Sequence, residues 1–139
     1  MFSVVIPAYN CADTITEVLD SVVNQTRFDL IDEIIIINDG SRDNSDEVIT
    51  GYCDKHNDIR ISYIKQDNHG VSYTRNRGIK AAKGGWIALL DSDDIWLPNK
   101  IERQCSILQK NGDICFLGSS YPVKFIFKTY RKGLIRACF

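Results

Sequence analysis

The stretch DEIIIINDGS, residues 32–41, restricts the range of possible folds more than any other part of the sequence. Its four consecutive isoleucines, residues 34–37, form a β-branched run without polar interruption. A strand that is apolar at every position has to be covered on both faces, as strands in the parallel sheets of α/β proteins are. Asp39 marks the end of this strand, and Gly40 permits a sharp turn. The stretch therefore predicts an inner strand of a largely parallel sheet.

Strand and helix patterns alternate on both sides of this stretch. Apolar and β-branched runs predict strands, and apolar residues at i, i+3 and i+4 spacing predict helices. The order βαβαβαβαβ predicts an α/β fold with a doubly wound, mostly parallel sheet and helices on both of its faces. The predicted strands cover residues 2–8, 32–38, 60–65, 86–90 and 114–120, and the predicted helices cover 13–26, 41–56, 71–84 and 97–112.

Composition indicates one ordinary soluble domain. The chain has 139 residues, of which 44% are hydrophobic and 25% charged, which is enough for a single core. No apolar run approaches the ~20 residues that span a bilayer. No basic leader precedes the first apolar stretch, so the sequence does not predict a signal peptide. Its five cysteines are scattered without a CxxC pair, which favours free thiols in the cytoplasm over disulfides or a zinc site.

Charge is divided unevenly along the chain. The net charge is −1, yet the last residues contain five basic side chains and no acidic one: Lys124, Lys128, Arg131, Lys132 and Arg136. The preceding part is therefore acidic, which argues against nucleic acid as the main partner. We accordingly divide the chain into a domain over residues 1–121 and a basic tail over residues 122–139.

Polar residues follow each of the first four predicted strands. In doubly wound sheets, ligands bind outside the carboxyl ends of the strands, near the point where the strand order reverses. The sequence therefore predicts a binding site at that edge of the sheet. Its candidate residues are Tyr9 and Asn10, then residues 38–41, 66–69 and 91–94.

Asp91 and Asp93 stand at i and i+2 directly after the strand WIALL. Nearby like charges disfavour ionisation of both carboxylates, so a positive partner is expected. Mg²⁺ and Mn²⁺ take oxygen ligands and often bridge carboxylates to phosphate oxygens. No His or Cys lies beside the cluster, which argues against zinc. The alternative is a hydrated acidic turn, with Asp94 capping the next helix.

Asp39, Arg75 and Arg77 are the other charged candidates at this edge. An ionised carboxylate at position 39 can accept hydrogen bonds from N–H groups of a base or sugar, or it can serve only the local turn. The two arginines lie on the helix that leads back to the acidic strand end, where a guanidinium could bind an anion. The alternative is a solvated basic helix face.

Several blocks of the sequence, taken in order, resemble the nucleotide-sugar-binding half of family 2 glycosyltransferases over about residues 2–121. They are SVVIPAYN, SVVNQT, DEIIIINDGSRDNS and GVSYTRNRGIKAAKGGWIALLDSDDIWLPNKIE. The resemblance implies a GT-A fold with a Rossmann-like nucleotide-binding half. It also implies a nucleoside-diphosphate sugar donor, usually UDP-linked, a Mg²⁺ or Mn²⁺ ion, and inversion at the anomeric carbon. Asn38 departs from the pattern, because many relatives carry an Asp there.

The resemblance also implies roles for individual residues. Pro7, Ala8 and Tyr9 would line the nucleoside pocket, and Asp39 would contact the uracil. Asp91 would reach the ribose or the water shell of the metal.

One assignment implied by the resemblance concerns the diphosphate. Asp93 would hold the metal that bridges the two phosphates. Arg75 is counted with the nucleotide-binding residues, because its guanidinium can bind an anion.

The C-terminal residues do not match the family. In the family, an acceptor site and an Asp or Glu acting as general base follow, whereas no acidic residue follows Asp113 here. We favour a truncated or frameshifted reading frame over a basic amphipathic tail that contacts anionic lipid at the inner face of the membrane. The chain is expected to bind donor without measurable transfer to an acceptor, and to self-associate through exposed apolar surface.

Three other functions compete with a glycosyltransferase that uses a glycan or lipid-linked sugar acceptor in polysaccharide or glycolipid synthesis. The first is a non-catalytic nucleotide-sugar-binding fragment, since inverting transfer needs a base for the acceptor hydroxyl. The second is a dinucleotide-dependent Rossmann enzyme, but no GxGxxG follows the first strand. The third is a metal-dependent phosphotransfer domain, and the tightest acidic cluster follows the fourth strand rather than an early one.

Overall fold

The computed structural model describes residues 1–112, 114–117 and 137–138. The elements in these residues follow the predicted order, with two additions that the sequence did not predict: a short 3₁₀ helix, Phe28–Leu30, and a last short strand, Ala137–Cys138. The strands are β1 (Phe2–Ala8), β2 (Ile31–Asp39), β3 (Ile61–Gln66), β4 (Trp86–Leu89), β5 (Phe116–Leu117) and β6 (Ala137–Cys138). The helices are α1 (Ile15–Val23), α2 (Ser45–Lys55), α3 (Val71–Ala81) and α4 (Lys100–Lys110).

The strands form one sheet in the order β3-β2-β1-β4-β6-β5. Every described pair of neighbouring strands is parallel. The sheet grows from β1 through β2 to β3, and the chain then crosses back to place β4 on the other side of β1. The predicted doubly wound α/β fold is confirmed, and its order reverses between β1 and β4.

The two-residue period of the strands divides the core into two layers. One layer joins alternate strand residues, such as Val4, Ile6, Ile34 and Ile36, to helices α1, α2 and α4. These helices contribute Ile15, Val18, Leu19, Val22, Ile49 and Ile101, each at most 1% exposed. The isoleucines of β2 alternate between this layer and the opposite face of the sheet. Strand β2 is therefore covered on both faces, as its isoleucine run predicted.

The second layer lies on the opposite face of the sheet, under α3. Val5, Ile35 and Ile37 pack there with the partly buried Ile79 of the helix. Gly78 makes the approach close, because a Cβ at this position would lie 2.3 Å from Val5 Cγ1. The glycine therefore lets α3 sit directly on β1 and β2.

Two predicted details of the chain after β4 are corrected. Helix α4 begins at Lys100 with Asn99 at its N-cap, and Pro98 precedes it in a turn. The expectation that Asp94 caps this helix is wrong, since the helix starts six residues later. Asp94 instead closes a tight turn, its backbone N–H donating to the Asp91 carbonyl over 3.2 Å.

The C-terminal predictions fall largely outside the described residues. The strand predicted over 114–120 is present as β5, and its last three residues lie beyond the description. Residues 118–136 and 139 also lie beyond it, so the truncated or frameshifted reading frame and its alternative, a tail that contacts lipid, both stay predictions. In the described part of the chain, no helix is both long enough and apolar enough to cross a bilayer.

Candidate functional site

A cavity of about 600 Å³ opens at the carboxyl edge of the sheet, where β1, β2 and β4 end and α3 begins. Six of the seven predicted site residues line it, and these come from four separate segments of the chain. The lining residues are Pro7, Tyr9, Asn10, Cys11, Thr14, Asp39, Asn68, Gly70, Val71, Thr74, Arg75, Asp91, Ser92 and Asp93. The structure therefore brings the polar strand ends together at the edge where the sequence placed them.

Asp39 is 3% exposed and is held by three hydrogen bonds. Its Oδ1 accepts from Gln66 Nε2 over 2.6 Å and from the His69 backbone N–H over 2.9 Å. Its Oδ2 accepts from the Gly70 backbone N–H over 2.8 Å. Burial raises the pKa of Asp39, but these hydrogen bonds and the nearby Thr74 hydroxyl outweigh it and hold the pKa below its ordinary value. The side chain is thus an ionised acceptor fixed in the cavity wall.

Arg75 supplies the positive charge that the acidic cluster requires. Its Nη2 donates to Asp91 Oδ1 over 2.5 Å, and the two side chains are 32% and 42% exposed. The Nε atom of the same guanidinium is buried, and no described residue accepts a hydrogen bond from it. Arg75 therefore holds Asp91 in place, and its buried Nε–H has no acceptor among the described residues.

Asp93 is exposed and lines the cavity beside Asp91. Within residues 1–112, 114–117 and 137–138, no three His, Cys, Asp or Glu side chains cluster as a metal site would require. Two carboxylates remain a suitable donor set for Mg²⁺ or Mn²⁺, because these ions often bind one or two carboxylates and complete their shell with water and substrate phosphates. The residues present thus fit such an ion together with an anionic ligand.

The end of β1 and the loop that follows it also line the cavity. Pro7 and Tyr9 line the cavity, and Tyr9 is 46% exposed. Ala8 lies in the hydrophobic core and is 1% exposed, so its predicted contact with the nucleoside stays a prediction. Asn10 adopts a positive φ of 48°, and its Oδ1 accepts from the Arg42 backbone N–H over 2.8 Å. This contact ties the loop to the turn that follows Asp39.

Asn38 has a structural role that explains the amide at this position. Its Oδ1 accepts from the Ser41 backbone N–H over 3.0 Å, while its Nδ2 donates to the Tyr63 hydroxyl over 2.7 Å. The Tyr63 hydroxyl in turn donates to Asp46 Oδ1 over 2.7 Å. An amide can accept and donate at once, which an ionised Asp cannot do. Asn38 therefore holds the turn after Asp39 without adding another negative charge.

Thr14 and Thr74 line the cavity, although sequence reasoning missed them. The hydroxyl of Thr14 donates to the Ser92 carbonyl over 2.7 Å and so ties the start of α1 to the acidic turn. Thr74 is fully buried and donates to the Gly70 carbonyl over 2.9 Å. Only the four-residue spacing between Gly70 and Thr74 could have suggested the second contact, since serine and threonine hydroxyls often bond the carbonyl four residues back.

Solved structures of similar architecture define the class of protein. The chain aligns with S. aureus TarS 1-349 in complex with UDP at a TM-score of 0.73 and 25% identity, over 84% of this chain and 34% of that one. It aligns with mannosyltransferase PcManGT from Pyrobaculum calidifontis, in complex with GDP-Man and Mn²⁺, at a TM-score of 0.76 and 20% identity, over 85% and 35%. The fold is that of the GT-A glycosyltransferases.

The sequence comparison then identifies the family. The model described as glycosyl transferase family 2 matches residues 3–137, and this chain belongs to that family. Its match extends past residue 121, so the division of the chain at that point stays a prediction. The chain is 40% identical to the uncharacterized glycosyltransferase RP339 of Rickettsia prowazekii over 110 residues, which cover 79% of this chain and 32% of that protein. It is 39% identical to YibD of Escherichia coli over 122 residues, which cover 82% and 34%.

Length separates this chain from those relatives. The matched residues span 16% to 36% of the length of similar curated relatives. This chain shares the family and the fold with them, and the activity of the longer proteins is for this chain a proposal.

Proposed function

We propose that the cavity binds a nucleoside-diphosphate sugar whose base is uracil, together with Mn²⁺ or Mg²⁺, as the donor site of an inverting glycosyltransferase. One observation carries this proposal: a fixed, ionised Asp39 stands at one part of the cavity wall, and the Asp91–Asp93 pair with Arg75 stands at another. Similar structures were determined with UDP, with UDP-GlcNAc, and with GDP-Man and Mn²⁺, which supports a ligand of this class.

The hydrogen bonds of Asp39 favour uracil over guanine. A carboxylate has about two acceptor positions on each oxygen. Oδ1 already receives two donors, whereas Oδ2 receives only the Gly70 N–H. One acceptor position therefore remains on Oδ2. Uracil offers a single N–H donor on its Watson–Crick edge, and guanine offers two adjacent ones, so the remaining acceptor suits uracil.

The other charged residues suit the diphosphate. Asp91 and Asp93 would hold the divalent ion, which when bound neutralises charge on the leaving nucleotide. Arg75 fixes Asp91 through Oδ1, which leaves Oδ2 of Asp91 for a further partner. The Arg75 side chain is 32% exposed and lines the cavity, so its other N–H groups can donate to a phosphate or ribose oxygen.

We propose that the full-length proteins of this kind transfer the sugar to an acceptor. The acceptors that we propose are glycans or lipid-linked sugars, in polysaccharide or glycolipid synthesis. The competing candidate is a domain that binds donor without transfer. One observation supports this second candidate. Inverting transfer needs a carboxylate that can take the proton of the acceptor hydroxyl, whereas Asp39 is already hydrogen-bonded and Asp91 is already ion-paired.

A thermal-shift panel with UDP, GDP and CMP, each with and without Mn²⁺, tests donor binding. A ligand that binds only the native state stabilises it by about 2.7 kcal/mol at 100 times Kd. UDP should raise the midpoint most, and Mn²⁺ should increase that shift. A folded sample whose midpoint does not move with any nucleotide would exclude the donor site.

A further inference from the structure

Arg77 lies outside the cavity but is connected to it. It stands on α3, two residues after Arg75, and it is not among the residues that line the cavity. Its Nη1 donates to Gln66 Oε1 over 2.8 Å. Nothing proposed above for the donor site assigns Arg77 a role.

Gln66 connects Arg77 to Asp39 through the two ends of its amide group. Its Nε2 donates to Asp39 Oδ1 over 2.6 Å and to Thr74 Oγ1 over 3.1 Å. The three partners fix the orientation of the amide. A flipped amide would set its carbonyl oxygen against the Asp39 carboxylate and its NH₂ group against the Arg77 guanidinium, which places two acceptors and two donors face to face.

We propose that Arg77 is a positioning residue that orients the Gln66 amide, holds Asp39 as an acceptor, and thereby sets the preference of the site for uracil over cytosine. This inference rests on the donor site proposed above. Arg77 touches neither base nor sugar in this scheme. It acts through one amide, and the amide acts on the carboxylate.

Uracil and cytosine are suited to test this role. UDP and CDP share the ribose and the diphosphate and differ only in the base. The N3 position of uracil carries a proton to donate, whereas N3 of neutral cytosine is an acceptor. An acceptor-only carboxylate therefore favours UDP. Without Arg77, Gln66 Oε1 loses its donor, and the amide is oriented only by Asp39 and Thr74. The hydrogen bond that fixes Asp39 Oδ1 should then weaken, while the His69 and Gly70 N–H groups still hold the carboxylate.

The experiment measures Kd for UDP and for CDP, both with Mn²⁺, by calorimetry on the 139-residue chain. Arg77→Met should lower the UDP-over-CDP preference about tenfold, the change expected when one hydrogen bond to a charged group is lost. Lys80→Met is the matched control, because it removes an exposed positive charge from the same helix. It should leave the preference unchanged. Arg77→Lys should retain most of it, since one donor is sufficient for the contact with Gln66.

Gln66→Glu provides a second test if Arg77→Met does not fold. Arg77 can pair with the new carboxylate, whose other oxygen then faces Asp39 Oδ1, so the UDP preference should again fall. The inference is overturned if a folded Arg77→Met keeps the wild-type preference, if Gln66→Glu keeps it where Arg77→Met does not fold, or if Lys80→Met lowers it as much as Arg77→Met does. A wild-type chain that binds UDP and CDP equally refutes the base contact of Asp39, and one that binds neither refutes the donor site itself.

Discussion

Asp39, Asp91 and Asp93 line one cavity but have three different surroundings. Asp39 is buried and accepts three hydrogen bonds, two of them from backbone N–H groups. Asp91 is paired with Arg75. Asp93 is exposed and lies within the acidic turn that Asp91 and Asp94 close. Because the surroundings differ, substitutions at the three positions should have distinguishable effects on binding and on stability.

Asp93→Ala should remove the Mn²⁺-dependent part of UDP binding and leave the metal-independent part intact. The reason is that Asp93 is a proposed metal ligand, and the substitution breaks no hydrogen bond or ion pair to the described residues. Calorimetric titration of UDP with and without Mn²⁺ measures the two parts. Asp94→Ala is the control, since it removes the neighbouring exposed carboxylate, which does not line the cavity. Equal losses in both variants would mean that only the local negative charge matters.

Asp39→Asn should weaken UDP binding with or without Mn²⁺ and lower the free energy of unfolding by about 1–3 kcal/mol. The new NH₂ group must face either the Gln66 amide or the Gly70 N–H, which leaves buried donors unsatisfied. The pKa of Asp39 is lowered in the folded state, so its stabilisation is present above the ordinary value of 3.8 and is lost as pH falls through the folded pKa.

Urea denaturation at pH 7 and toward pH 3 measures this effect. The difference in the free energy of unfolding between wild type and Asp39→Asn should shrink as the pH is lowered, because protonation removes the advantage of the wild-type carboxylate. A difference that stays constant over this range would show that the ionised form of Asp39 does not stabilise the fold.

Sequence reasoning found the site residues that directly follow strands. Asp39, Asp91 and Asp93 were predicted because parallel strands bring their carboxyl ends to one edge. Gln66 was noted only as part of a polar cluster, and Thr74 was missed. Gln66 contacts Asp39, Thr74 and Arg77 on separate elements, and such contacts leave no periodic pattern in the sequence. The Arg75–Asp91 pair was likewise visible only as two nearby candidates.

At the scale of elements, α3 links the core to the site. One of its faces packs on β1 and β2 through Gly78 and Ile79, and it also carries Thr74 and Arg75 to the cavity. The strands were predicted closely because apolar β-branched runs have sharp ends. Helix ends were less accurate: α4 starts at Lys100 rather than near Leu97, since Pro98 lies in the turn before it.

Gly78→Ala should destabilise the protein by about 1–3 kcal/mol and weaken nucleotide binding. The added Cβ would lie 2.3 Å from Val5 Cγ1, so α3 has to move away from β1. Gly51→Ala in α2 is the matched control, because nothing lies within 4 Å of the added atom and alanine favours the helix by about 0.5–1 kcal/mol. Urea denaturation should therefore give changes of opposite sign. Destabilisation by both variants would contradict the packing of α3 described here.

At the scale of the whole molecule, a carboxylate holds a loop at each of the two edges of the sheet where strands end or begin. At the carboxyl edge, Asp39 holds the loop before α3 through the backbone N–H groups of His69 and Gly70. At the opposite edge, Glu33 Oε1 accepts from the Lys83 N–H over 2.7 Å and from the Ser3 hydroxyl over 2.7 Å, and that hydroxyl accepts from the Gly84 N–H over 2.8 Å. Both loops are thus held by a carboxylate, and only the first lies at the cavity.

UDP with Mn²⁺ should slow amide hydrogen exchange at His69 and Gly70 much more than at Lys83 and Gly84. Loop amides exchange through local openings, and a ligand that contacts Asp39 and the acidic turn together makes the first opening costlier without touching the second. Exchange measured by NMR with and without ligand compares the two edges in one sample. If all four amides slow equally, the ligand stabilises the molecule only globally. Slowing confined to Lys83 and Gly84 would place the binding site at the opposite edge of the sheet.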